Sequence, residues 1–123
     1  MKVLDPGHDY LLDSHDGGEP IRLTFVKRDD PPEKYPGNVG HYPGTIMQEV
    51  FRALIDRCKY VDNQIPCSET ETVLNLQRLA ICELEQRVRR TREQPRLTMP
   101  LEDIEFYSPC AKCGHILCLS HTA

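Results

Sequence analysis

Ser68-Glu69-Thr70-Glu71-Thr72-Val73-Leu74-Asn75-Leu76-Gln77-Arg78-Leu79-Ala80-Ile81-Cys82-Glu83-Leu84-Glu85-Gln86-Arg87-Val88 decides the fold. Val73, Leu76, Ala80, Leu84 and Val88 recur at helical spacing, with Leu74 and Ile81 beside them, so one stripe of a long helix is apolar. Ser68-Glu69-Thr70-Glu71 reads as a capping box at its start, and Pro95 stops it. Upstream, Thr45-Ile46-Met47-Gln48 reads as a second capping box. Ile46, Val50, Phe51, Leu54, Cys58 and Val61 repeat at the same spacing behind it. Pro66 separates the two segments, and two amphipathic helices with a short connection make an antiparallel hairpin. A second helix of roughly 24 residues spans about 36 Å at 1.5 Å per residue, longer than a compact monomer needs. That excess predicts packing against another copy of the chain.

Outward toward the N-terminus the period changes. Tyr10-Leu11-Leu12 is short and apolar, residues 13–20 are dense in turn formers, and Ile21-Arg22-Leu23-Thr24-Phe25-Val26-Lys27 alternates. This predicts a β-hairpin with Ile21, Leu23 and Phe25 on one face. A two-stranded ribbon is marginal alone, so it is expected to pack on helices or pair with another chain. Residues 29–44, rich in Pro and Gly, read as a linker, and Gly37 and Gly40 allow close backbone approach to a ligand. The expected fold is therefore α+β: a small antiparallel N-terminal β-sheet packed on a long antiparallel helical hairpin, with a short Cys/His-rich C-terminal tail. Residues 1–95 would form one domain and residues 96–123 an extension.

The chain of 123 residues suits one core, and its charge of −4 argues against a protein whose main role is coating nucleic acid. No apolar run reaches the roughly 20 residues of a membrane helix, and no secretory signal is expected at the start. Six cysteines in such a chain point to free thiols or a metal, not a disulfide framework.

The tail concentrates the metal chemistry. Cys110, Cys113, Cys118 and His121 form C-x2-C-x4-C-x2-H, and Pro109-Cys110-Ala111-Lys112-Cys113-Gly114-His115 is similar to a zinc-ribbon knuckle. Four S/N ligands suit a structural zinc. Three arrangements stay open: a compact site, His115 in place of His121, or a half-site completed by a second chain. A tail with free thiols is the plain alternative. Cys58 and Cys82 fall within the helical patterns as small core residues, and Cys67 lies in the connection. Ile104-Glu105-Phe106-Tyr107 reads as a short strand leading into the cluster.

Arg87, Arg89, Arg90 and Arg92 crowd the end of the long helix. Cations there suit the helix dipole, so a solvated helix end and a phosphate clamp are both open. Arg87 and Arg90 share one face; Arg89 and Arg92 share another. Arg57 and Tyr60 lie three apart on the first helix, a spacing that allows a stacked base beside a held phosphate. Lys27 and Arg28 form a further basic pair. No catalytic motif appears, and no acid/base couple stands out, so a non-enzyme is expected.

Taken in order, several features resemble a family of small bacteriophage anti-defence proteins, sponges that sequester the cyclic nucleotide signals of Thoeris and CBASS immunity. These are Gly7-His8-Asp9-Tyr10-Leu11-Leu12, Ile21-x-Leu23-x-Phe25-Val26-Lys27, the Gly37-Asn38-x-Gly40 turn, Val50-Phe51-Arg52-Ala53-Leu54-Ile55-Asp56-Arg57, and a second helix reaching Arg87. Glu69-Thr70 stands where such proteins commonly carry Glu-Asn. The resemblance implies a dimer or hexamer that holds a cyclic ADP-ribose isomer or cyclic oligonucleotide without cleaving it, in the cytoplasm of an infected bacterium. It implies Lys27, Arg28, Asn38, Arg57, Tyr60, Thr70, Arg87 and Arg90 as ligand-binding residues. A zinc-stapled module for protein or nucleic acid is the competing expectation.

Overall fold

A computed structural model describes residues 1–28 and 40–121. The protein is α+β, with a three-stranded antiparallel sheet at the N-terminus, two long helices, and a Cys/His cluster at the C-terminus. It divides into two compact units, Met1–Met47 and Gln48–Ala123. The boundary between these units falls after Met47, and the helices and the C-terminal extension lie in the same unit.

The first unit is built on strands β1 (Lys2–Asp5), β2 (Asp9–Leu12) and β3 (Ile21–Thr24), in the order β1-β2-β3. The expected hairpin is the β2–β3 pair, in which Tyr10 faces Leu23 and Leu12 faces Ile21. Its connection holds a 3₁₀ turn at His15–Gly17, with Asp16 and Gly17 both at positive φ. Strand β1 is additional to the two expected. Pro6-Gly7 is its turn signal, and Gly7 adopts φ 82° there. On one face Tyr10 and Phe25 meet edge to face, with ring centroids 6.1 Å apart. On the other, Asp9 accepts from Arg22 Nη2 at 2.6 Å, Arg22 Nε at 3.1 Å and Thr24 Oγ1 at 3.0 Å.

Of the expected linker over 29–44, residues 29–39 lie outside the described residues. Residues 40–45 run beside the end of the sheet. Lys27 and Tyr42 exchange both backbone hydrogen bonds at 3.1 Å, and Thr45 bridges Phe25. Thr45 is thereby committed to the sheet edge, so it caps no helix, and the expected capping box with Gln48 does not form.

The second unit opens with α1 (Met47–Gln64) and α2 (Ser68–Thr91). The start of α2 also differs from expectation. Cys67, not Ser68, is the N-cap, and Ser68 bonds the Glu69 side chain. Asp62 on α1 organises the connection by accepting the Cys67 N–H at 3.1 Å and the Thr70 hydroxyl. Helix α2 ends in a Schellman motif: Gln94 N–H donates to Arg89 O at 2.8 Å and Glu93 N–H to Arg90 O at 3.2 Å. Glu93 occupies the left-handed position at φ 54°, where glycine is usual. This turn reverses the chain and returns residues 94–97 alongside the helix.

Ile55 of α1 and Ile81 of α2 form the core together with Leu97, Ile104 and Ile116 from the extension. The extension thus covers part of α2, while Val73, Leu76 and Leu79 stay exposed. The expected strand at 104–107 is instead a 3₁₀ helix, Leu101–Phe106. Pro100 presets its entry, Asp103 N–H bonds Pro100 O at 3.0 Å, and among the described residues no strand pairs with it. Helical curvature buries Ile104 and turns Glu105 back to Lys59 and Arg78. Those two cations hold the Glu105 carboxyl below its usual range, although burial pushes the other way.

Candidate functional site

The cluster is assembled by two short turns. Cys110 and Cys113 bracket a knuckle in which Cys110 N–H donates to His115 O at 2.9 Å and Gly114 N–H to Cys110 O at 2.8 Å. Gly114 takes φ 77°, which lets the chain fold back at once. Pro109 bridges Ile116, and Leu117, at φ 46°, turns Cys118 and His121 onto the knuckle.

All four donor atoms lie within 4.8 Å of one another. Cys113 Sγ is 3.6 Å from Cys118 Sγ, and His121 Nδ1 is 3.4 Å from Cys118 Sγ and 3.8 Å from Cys110 Sγ. A tetrahedral ion with bonds of about 2.3 Å to sulfur and about 2.0 Å to nitrogen needs donor separations of about 3.5–3.8 Å. The three separations given lie close to this range, so the four side chains are compatible with a four-coordinate metal within one chain. No disulfide competes, since all six cysteines are free. His121, not His115, joins the set.

The surroundings are equally specific. Arg92 Nη1 stands 3.9 Å from Cys113 Sγ and 3.8 Å from Cys118 Sγ. Three thiolates around a divalent cation would carry a net negative charge, which this guanidinium would offset. Burial pushes the Cys113 thiol up. For Cys118 burial is outweighed by the Ser120 N–H, His121, Cys113 and the His121 N–H, which bring it down to about 6. His115 instead points to α1 and α2, with Nδ1 3.1 Å from Gln48 Nε2 and 3.4 Å from Glu85 Oε2.

Beside the cluster, α2 and residues 94–97 enclose an open groove of about 420 Å³. Glu83, Arg87 and Arg90 line it from the helix, and Gln94 and Arg96 line it from the returning chain. Arg89 is buried and donates to Pro95 O at 3.2 Å and Leu117 O at 2.6 Å.

The other expected ligand residues are placed differently. Arg57 lies over the Tyr60 ring, 5.4 Å from its centroid, and both are exposed. Lys27 is engaged by Asp5 at 2.9 Å, and Thr70 by Asp62 and Cys67 O. Arg28 is exposed, and Asn38 lies outside the described residues. Arg89, Arg92, Arg96, Glu85 and Gln48 were not among the expected site residues. For Arg89 and Arg92 the shared helix face was the available signal; for the others nothing in the sequence marks the partner.

Comparison with known protein families, curated proteins and solved structures found no match. Among the described residues, no helix is long and apolar enough to cross a membrane.

Proposed function

We propose that this chain is a non-catalytic binding module whose C-terminal extension is stapled to its helical hairpin by a structural zinc ion. The observation that carries the reading is the convergence of Cys110, Cys113, Cys118 and His121, with all donor atoms within 4.8 Å. Three soft thiolates and an imidazole suit zinc above the hard divalent cations. Four protein ligands leave no open position for a substrate, so the metal's contribution is to hold the chain in place. Metal content of protein purified under reducing conditions tests this. One zinc per chain, with melting lowered by a chelator, is the expected result; protein that binds no zinc and is indifferent to chelation would overturn it.

A second reading is sequestration of a cyclic nucleotide signal by an oligomeric phage protein in an infected bacterium. It is supported by the order of sequence features quoted above and by Arg87 and Arg90 lining one groove. A thermal-shift screen with cyclic ADP-ribose isomers and cyclic di- and trinucleotides tests it. A large shift with one class, and intact ligand recovered after denaturation, is expected. No shift with any of them would remove the cyclic nucleotide.

A further inference from the structure

We infer that the groove between the end of α2 and residues 94–97 binds a small molecule carrying two or more linked phosphate groups, and that the metal cluster fixes one of its walls. The first clause deepens the reading given above for the Arg87–Arg90 groove, and the second rests on the zinc reading.

The charge distribution is the starting point. The chain carries a net −4, and five of its fifteen Lys and Arg side chains are paired with carboxylates. Arg22 pairs with Asp9, Arg52 with Glu49, Arg78 and Lys59 with Glu105, and Lys27 with Asp5. Among the described residues no carboxylate pairs with Arg87, Arg90 or Arg96, and all three are exposed into the same groove. Three guanidiniums against one lining carboxylate, Glu83, leave the groove with excess positive charge, so their convergence favours an anion that bridges them. Each presents a planar fork matched to phosphate oxygens. The groove's volume, about 420 Å³, falls within the roughly 300–1,000 Å³ common for small-ligand pockets. Glu83 also lines the groove, and with the chain's net charge of −4 it disfavours a long polyanion, which selects a compact ligand.

The walls are held before any ligand arrives. Gln86 clamps the main chain of Leu97 from both sides, donating to its carbonyl at 2.6 Å and accepting its N–H at 2.9 Å. Arg89 spans from Pro95 O to Leu117 O, the residue before Cys118. Gln94 Nε2 donates to Ser120 Oγ at 3.1 Å, inside the Cys118–His121 turn. A metal that fixes Cys118 and His121 therefore fixes Leu117 and Ser120. Through Arg89 and Gln94 it fixes the short segment that carries Arg96. Ligand and metal then stabilise the same arrangement of residues 94–97, and each should tighten the other's binding.

The test is calorimetric titration of the full chain with ADP, a pyrophosphate probe too weak as a zinc chelator to strip four protein ligands. Zinc content is measured on every sample. One ADP per chain is expected, with Arg96→Gln and Arg87→Gln each weakening it at least about tenfold while zinc content and melting stay unchanged. Demetallated protein should bind it more weakly than loaded protein. A zinc-loaded protein that ignores millimolar ADP, or variants that bind as wild type does, overturns the groove. Arg96-dependent binding in protein that holds no zinc keeps the groove and overturns its metal-fixed wall. Binding of a single-stranded oligonucleotide without ADP binding overturns the small-ligand assignment.

Discussion

The Glu85 carboxylate, only 1% exposed, reaches from α2 to the Cys110–His115 knuckle and meets His115 Nδ1 at 3.4 Å. Its other oxygen accepts the buried Ile116 N–H at 3.2 Å, and Arg52 Nη2 stands 4.0 Å away. A carboxylate at this depth is tolerated only because each side of it has a partner. Arg52 and Gln48 come from α1, so one side chain ties both helices to the knuckle. Glu85→Ala would leave the Ile116 N–H without its buried acceptor and remove the carboxylate beside the His115 ring. The expected loss is about 2–4 kcal/mol in urea unfolding of metal-loaded protein. Glu85→Gln, which keeps an oxygen for Ile116, should cost less than half of that. Equal losses from the two changes would mean that charge, not the Ile116 bond, is what Glu85 contributes.

The two histidines of the tail should separate cleanly. His121→Ala removes a donor from the cluster, so zinc content falls well below one per chain. His115→Ala removes a link to Glu85 and Gln48 but no donor, so zinc stays near one per chain while the melting temperature drops. Zinc at a thousandfold excess over its Kd adds about 4 kcal/mol to the folded state. In a unit of under 100 residues that corresponds to a change of about 15–30 °C in Tm. Loss of zinc from His115→Ala with retention in His121→Ala would reverse the assignment.

The helices and the β2–β3 hairpin were legible because their apolar residues repeat at 3.6 and at 2.0, which is a local property of the chain. The donor set of the cluster was legible as well, since all four residues fall within twelve positions. Choosing His121 over His115 was not, because it depends on Glu85 and Gln48, which are distant in sequence and buried beside His115. The same limit explains the strand expected at 104–107. Ile104 and Tyr107 are apolar enough for a strand, but whether a strand forms depends on a partner, and Ile104 has Ile81 and Ile55 instead. Thr45 was misread for the opposite reason: its capping pattern is sound locally, and the sheet edge at Phe25 outcompetes it.

Gly44 marks that edge. A Cβ built on it would sit 2.5 Å from the Phe25 carbonyl carbon, 2.6 Å from the Val26 nitrogen and 2.7 Å from Thr24 O, all of them backbone atoms that cannot rotate away. Gly44→Ala should therefore push residues 42–45 off the end of β3, at a cost of about 1–3 kcal/mol. Amide exchange of Val26 and Thr45, whose N–H groups bond across this edge at 2.9 and 2.8 Å, is the direct readout. Faster exchange at both is expected; unchanged protection would show that the edge absorbs the methyl group.

The sheet should lose stability at both ends of the pH scale. The Tyr42 hydroxyl and Lys27 hold the Asp5 carboxyl below its usual range, and Arg22, with Thr24, does the same for Asp9 against the pull of burial. Carboxyls depressed in the folded state add stability above the unfolded value of 3.8, and this is lost as pH falls through their lower folded values. Tyr42 behaves oppositely. Burial first, then its bond to Asp5, push it up to about 12. Its contribution is complete below 10.0 and disappears as pH rises from there toward about 12. Amide signals of β2 and β3 followed by NMR should weaken below pH 4 and again above pH 10. Asp9→Asn should flatten the acid side, and Tyr42→Phe the alkaline side. If Tyr42→Phe leaves the alkaline loss in place, another group carries it.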